Sequence, residues 1–174
     1  SLIAAPLAAL LSVCSVTHSQ VLREQEISDV EGGFSGALQD ADHLGYDMSA
    51  LGDMDGDGIT ELAVSESYDD DGGVDTGALW ILFLNADGTV KATQKISETQ
   101  GGFTGAIGFN ANLGISVATI GDLDDDGVAD LVAGAFRDGD GGSDHGAVYV
   151  LFLNTDGTVK AHQKISDTQG GFGG

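Results

Sequence analysis

The sequence holds one cysteine, Cys14, and one proline, Pro6, in 174 residues. A single thiol makes no intrachain disulfide and no cysteine-type zinc site, so neither device holds this chain together. Basic residues are also scarce: six Lys and Arg face 28 Asp and Glu, a formal charge of −22. Such a surface repels phosphate backbones and anionic headgroups, which argues against nucleic acid as a partner. The four histidines, His18, His43, His145 and His162, have no metal-ligand spacing. The apolar run at residues 2–16 is short for a membrane span and carries Pro6, so no span is expected. Catalytic signatures are missing as well. There is no Gly-x-Ser-x-Gly, no His-Glu-x-x-His and no glycine-rich phosphate loop, and the chain reads as a non-enzyme.

What is present is periodic. Ile27, Ile96 and Ile165 stand 69 residues apart, as do Phe34, Phe103 and Phe172. Lys95-Ile96-Ser97 recurs as Lys164-Ile165-Ser166, and Leu82-Phe83-Leu84-Asn85 recurs as Leu151-Phe152-Leu153-Asn154. No insertion or deletion separates the copies, which marks a repeat architecture. The chain divides into an apolar N-terminal segment at 1–19, a first repeat at 20–94, a second at 95–163 and the start of a third at 164–174. Segment 1–19 fits two readings: a secretory signal cleaved near Ser19, or an apolar element packed within an assembly.

Each repeat reads as four strands. They are expected near 44–51, 61–65, 78–84 and 89–96, and again near 113–120, 130–135, 147–153 and 158–165. Asp87-Gly88 and Asp156-Gly157 mark tight hairpin turns. The fold expected is all-β: tandem four-stranded antiparallel blades in an open, propeller-like array. Propellers close with about four to eight blades, so two blades need completion by further repeats or neighbouring chains.

The acidic residues gather in two equivalent loops. Asp53-Met54-Asp55-Gly56-Asp57-Gly58-Ile59-Thr60-Glu61 and Asp122-Leu123-Asp124-Asp125-Asp126-Gly127-Val128-Ala129-Asp130 both read D-x-D-x-D-G-x-x-[DE]. Calcium takes about six to eight hard oxygen ligands in flexible geometry. Carboxylates at alternate positions converge as the chain curls, and the glycine permits the sharp turn. The expected Ca²⁺ ligands are Asp53, Asp55, Asp57, the carbonyl of Ile59 and Glu61, then Asp122, Asp124, Asp126, the carbonyl of Val128 and Asp130. An EF-hand is rejected because Val64 and Ala133 stand where its closing glutamate belongs and the flanks read as strands. A second acidic loop follows, at residues 69–75 and 138–144; it reads as a solvated turn in preference to another cation site, because its ligand spacing is irregular. Phe34, Phe103 and Phe172 each follow Gly-Gly; core or inter-blade packing is favoured for them over a sugar-stacking surface. Trp80 and Tyr149 read as packing residues, and Lys91, Lys95, Lys160 and Lys164 as edge charges or partners of nearby acids.

Leu113-Gly114, the loop from Gly121 to Asp130 and the following Leu131-Val132-Ala133-Gly134-Ala135-Phe136 resemble an FG-GAP repeat, the blade unit of integrin α-subunit propellers. The first copy is similar, with Leu44-Gly45 at the "FG" element and Ser65-Glu66-Ser67 in place of "GAP". The resemblance covers about residues 27–174. It implies a Ca²⁺-stabilised extracellular β blade used in adhesion or as a scaffold. The function expected is a secreted or cell-surface structural repeat that assembles with copies of itself, including into a filament. The alternatives are an adhesion module of a longer propeller, binding an extracellular protein or glycan, and a non-catalytic domain of a secreted hydrolase.

Overall fold

A computed structural model describes residues 24–172, so segment 1–19, with its two readings, lies outside the described residues. Eight strands form in chain order: β1 (Leu44–Gly52), β2 (Glu61–Glu66), β3 (Ala78–Leu84), β4 (Val90–Ile96), β5 (Leu113–Gly121), β6 (Asp130–Ala135), β7 (Ala147–Leu153) and β8 (Val159–Ser166). They build two four-stranded antiparallel meanders, β1-β2-β3-β4 and β5-β6-β7-β8. No helix forms among the described residues, and none is long and apolar enough to cross a membrane. The strands fall where the sequence places them, because β-branched and aromatic runs alternate with glycine- and aspartate-rich turns. The boundaries at 94/95 and 163/164 fall inside β4 and β8. A sequence period fixes spacing but not phase, so the repeat unit and the sheet are offset.

The sheets stack as propeller-like blades without closing a ring. The main core lies between them. Ala63, Leu79, Ile81 and Phe83 of the first sheet share one buried cluster with Leu131, Ala133, Tyr149, Leu151 and Leu153 of the second. A smaller cluster of Phe34, Val64, Trp80, Leu82 and Val90 sits on the other face of the first sheet, with Ile27 and Leu38 against it. The inner strands β1 and β5 are tied by side chains. Asp47 Oδ2 accepts from Val117 N–H at 2.7 Å, and the Ser49 and Thr119 hydroxyls lie 2.9 Å apart. The blades therefore fan outward from β1 and β5, as propeller blades do from their axis.

Phe34 and Phe103 pack as expected, whereas Phe172, with no third sheet to seat on among the described residues, is exposed. Phe34 meets Trp80 edge-on at 5.0 Å, and Phe103 meets Tyr149 edge-on at 5.7 Å. In each case the aromatic arrives ahead of β1 or β5 and seats on the third strand of its own unit. The Gly32 carbonyl accepts from Val90 N–H, and the Gly101 carbonyl from Val159 N–H, both at 2.8 Å.

The two units are also joined through the β2–β3 loop. Its residues bond the lead into β5: Asn110 N–H donates to the Val74 carbonyl, Asn112 N–H to Asp75 and Leu113 N–H to Thr76. Gly77 closes this junction at φ +84, and a Cβ there would lie 2.3 Å from the Leu113 carbonyl oxygen. Its counterpart Gly146, at φ +78, meets nothing nearer than 3.2 Å. Gly146→Ala is expected to cost about 1–2 kcal/mol from the left-handed backbone alone. Gly77→Ala adds a backbone clash and is expected to cost about 3 kcal/mol or more. Urea unfolding of the two variants side by side checks the difference.

Candidate metal centres

In an antiparallel meander the connections alternate between two ends. The β1–β2 loop (residues 53–60) and the β3–β4 hairpin share one end of the first blade. The β2–β3 loop and the β4–β5 connection share the other.

At the first end the aspartate loops curl as their spacing suggests. The Asp53 carboxylate accepts from the N–H groups of Gly56 and Gly58 at 2.8 Å and of Asp57 at 3.0 Å. Asp122 accepts from Asp126 at 3.0 Å and Gly127 at 2.7 Å. Each loop is thus wound around its first aspartate, as short Asx turns allow. Oxygens of Asp53, Asp55 and Asp57 come within 4.8 Å of one another, and so do those of Asp122, Asp124 and Asp130.

The remaining expected ligands fall differently. Glu61 is fully buried, with Oε2 accepting from Met54 N–H at 2.8 Å and Oε1 unpartnered. It lies outside the Asp53–Asp55–Asp57 group. Asp130, one methylene shorter, accepts from Leu123 and Leu153 N–H at 2.9 and 3.1 Å and joins the group of its own loop. Asp126 stands outside that group and accepts from Val128 N–H at 2.9 Å. The N–H of Ile59 donates to Asp57 at 2.8 Å, so Ile59 and Val128 occupy matching places at the loop exits.

Lysines of the fourth strands sit over these loops. Lys91 pairs with Asp55 at 2.7 Å and also with Asp57; Lys160 pairs with Asp124 at 2.9 Å and also with Asp126. Hydrogen bonds from Lys91 and the Ile59 N–H hold the Asp57 carboxyl below its ordinary range, and Lys160 with Val128 does the same for Asp126. The site residues fit a divalent cation: the donors are hard oxygens, three carboxylates converge in each loop, and a buried Glu61 oxygen lacks a partner. Such a cation would be held by these carboxylates and would neutralise charge at the loop ends.

At the opposite end the second acidic loop is not a solvated turn. Asp69 and Asp138 are buried. Asp71 is held by donors from Ser97, Thr99 and Gln100, and Asp140 by the matching Ser166, Thr168 and Gln169. These bonds fasten the β2–β3 loop to the chain leaving the fourth strand, and they hold the Asp140 carboxyl well below the usual carboxylate range. Irregular spacing hid this, because the donors lie 26 to 29 residues away. Lys95 and Lys164 reach the same loops, pairing with Asp69 at 2.5 Å and Asp138 at 2.8 Å.

In the first unit this end carries two further buried carboxyls that sequence reasoning missed, Asp42 and Glu66. With Asp69 they place ligand oxygens within 4.8 Å of one another. Burial pushes the Glu66 carboxyl up to about 7, helped by Asp69 and Asp42 and opposed by Trp80 and Lys95. The available signal was a break in the repeat, since the equivalent positions hold Ala111 and Ala135.

Residues 45–82 match the family model for the FG-GAP repeat. The chain is also similar to integrin alpha-3 of Cricetulus griseus, 30% identical over 116 residues, which are 67% of this chain and 10% of that protein. It therefore spans about a tenth of the length of this curated relative. With two antiparallel blades of matching topology and this match on the first of them, the chain is an FG-GAP repeat protein.

Proposed function

We propose that the chain is an extracellular structural repeat whose aspartate loops bind Ca²⁺ and whose open sheet face docks another unit of its own kind. The metal ligands in this reading are the side chains of Asp53, Asp55, Asp57, Glu61, Asp122, Asp124, Asp126 and Asp130 with the carbonyls of Ile59 and Val128. The observation that carries the docking half is an inequality between equivalent faces. Leu79 is fully buried beneath the second sheet, whereas its counterpart Val148 is 38% exposed. Phe103 is 5% exposed and Phe172 64%. Val148, Phe136, Ile115, Ile165 and Phe172 line an apolar groove of about 700 Å³ where the first sheet bears its neighbour. Exposed apolar surface of this kind marks an interaction site. A face that one unit covers on its neighbour is complementary to a further copy, and such head-to-tail contacts build open arrays.

Sedimentation in calcium across a protein concentration series tests this. Association that rises with concentration is expected, and Val148→Asp is expected to abolish it by burying an unpaired charge. Monomers at every concentration would overturn self-assembly. The similarity to an integrin α chain favours a second reading, an adhesion module of a longer propeller. In that reading the same groove seats the next blade, and an extracellular protein or glycan binds elsewhere on the array.

A further inference from the structure

From the buried carboxyls of Asp42, Glu66 and Asp69 we infer a divalent-cation site in the first blade, separate from the two aspartate loops and at the opposite end of the sheet. The three side chains are buried, at 4%, 0% and 0% exposure, and each offers an oxygen within 4.8 Å of the others. They come from three places: the approach to β1, the last residue of β2 and the loop after it.

The second observation is an oxygen without a partner. Glu66 Oε2 accepts from Trp80 Nε1 at 2.7 Å and lies 3.5 Å from Lys95 Nζ. Its Oε1 is buried and accepts nothing. A buried carboxylate oxygen left bare is costly, and buried charges are paired or coordinate metals.

The third observation is a charge imbalance that the sister unit lacks. There, Asp138 is matched by Lys164 and by the Tyr149 hydroxyl at 2.9 Å, and alanines stand at the other two positions. The first unit keeps the matching lysine, Lys95, and adds two carboxyls with no added cation. Asp71, also near Lys95, already has its oxygens filled by Ser97, Thr99 and Gln100. The three acids share a single ammonium, Lys95, so a divalent ion held there would offset charge that the protein's own side chains leave unmatched. Hard oxygens select Ca²⁺, Mg²⁺ or Mn²⁺ rather than a soft metal.

Trp80, the only tryptophan in the chain, makes the site observable because its indole touches Glu66. Terbium(III), a calcium-like probe ion, is titrated into the intact chain while indole alone is excited. Sensitised terbium emission that calcium displaces is expected. Emission is expected to persist in Asp53→Ala and Asp122→Ala, whose loops lie at the far end. It is expected to vanish in Asp42→Ala combined with Glu66→Ala, with apparent affinity lowered by roughly 100-fold or more. That pair reproduces residues the second blade already carries at the same positions, and circular dichroism confirms its fold. Glu66→Gln, which keeps the side-chain shape, is expected to weaken emission likewise. No sensitised emission in the wild-type chain, or emission unchanged by Glu66→Gln, overturns the site. So does emission lost with the loop variants instead.

Discussion

Removing calcium with a chelator is expected to lower the melting temperature by about 10–20 °C. The figure follows from mass action. An ion that binds only the folded chain adds about 2.7 kcal/mol when present at a hundred times its dissociation constant, so two loops add about 5 kcal/mol. For a chain of this size each kcal/mol moves the midpoint by about 2–4 °C. Chemistry points the same way. The net charge is −22, and carboxylates crowd into short loops, so without cations the folded state repels itself. Calorimetry with calcium, with chelator, and with chelator plus about 1 M sodium chloride separates the causes, because at that ionic strength the screening length falls to about 3 Å. Salt that restores part of the loss reports repulsion, and the part only calcium restores reports coordination. Asp124→Ala is expected to remove about half of the shift that the two loops supply, since the first loop keeps its carboxylates. Melting that chelation does not change would sink calcium binding at both loops.

Leu151→Ala is expected to cost about 2–5 kcal/mol and to lower the midpoint by about 10 °C, through loss of buried area and the cavity it leaves. Leu151 is fully buried on β7, within the cluster that joins the two sheets. Its neighbour Val150 points to the other face of the same strand and is half-buried. Val150→Ala is expected to cost about 1 kcal/mol or less, as a large-to-small change at a site open to water on one side. Thermal melts of the two variants compare the faces directly. Equal losses would mean that the sheets do not pack through the Leu151 face. A Val150→Ala cost that grows with protein concentration would instead report a neighbour docking on the outer face.

Much of the architecture is legible in the sequence itself. Strand period and hairpin signals are local, so β3 and β7 emerge from Leu79–Leu84 and Val148–Leu153 with no knowledge of the rest. The aspartate loops were readable for the same reason, since their acids lie within nine consecutive residues and the curl of each loop brings three carboxylates together. Glu61 and Asp126 stand outside the converging carboxylate groups, a difference in the placement of single atoms that residue spacing does not encode. The Asp71 and Asp140 clamps escaped because their donors come from the end of the fourth strand.

The sequence by itself determined the 69-residue repeat, the eight strands and the aspartate loops, because each depends on residues that are neighbours in the chain. Only the tertiary structure decided which copy of a face is covered. β3 is buried on both sides, while β7, built from nearly the same residues, alternates between buried and exposed. It also decided that Asp42, Glu66 and Asp69 meet beside Lys95. Burial and charge crowding depend on what stacks against a strand, and two copies of one pattern acquire different surroundings when only one of them lies between neighbours.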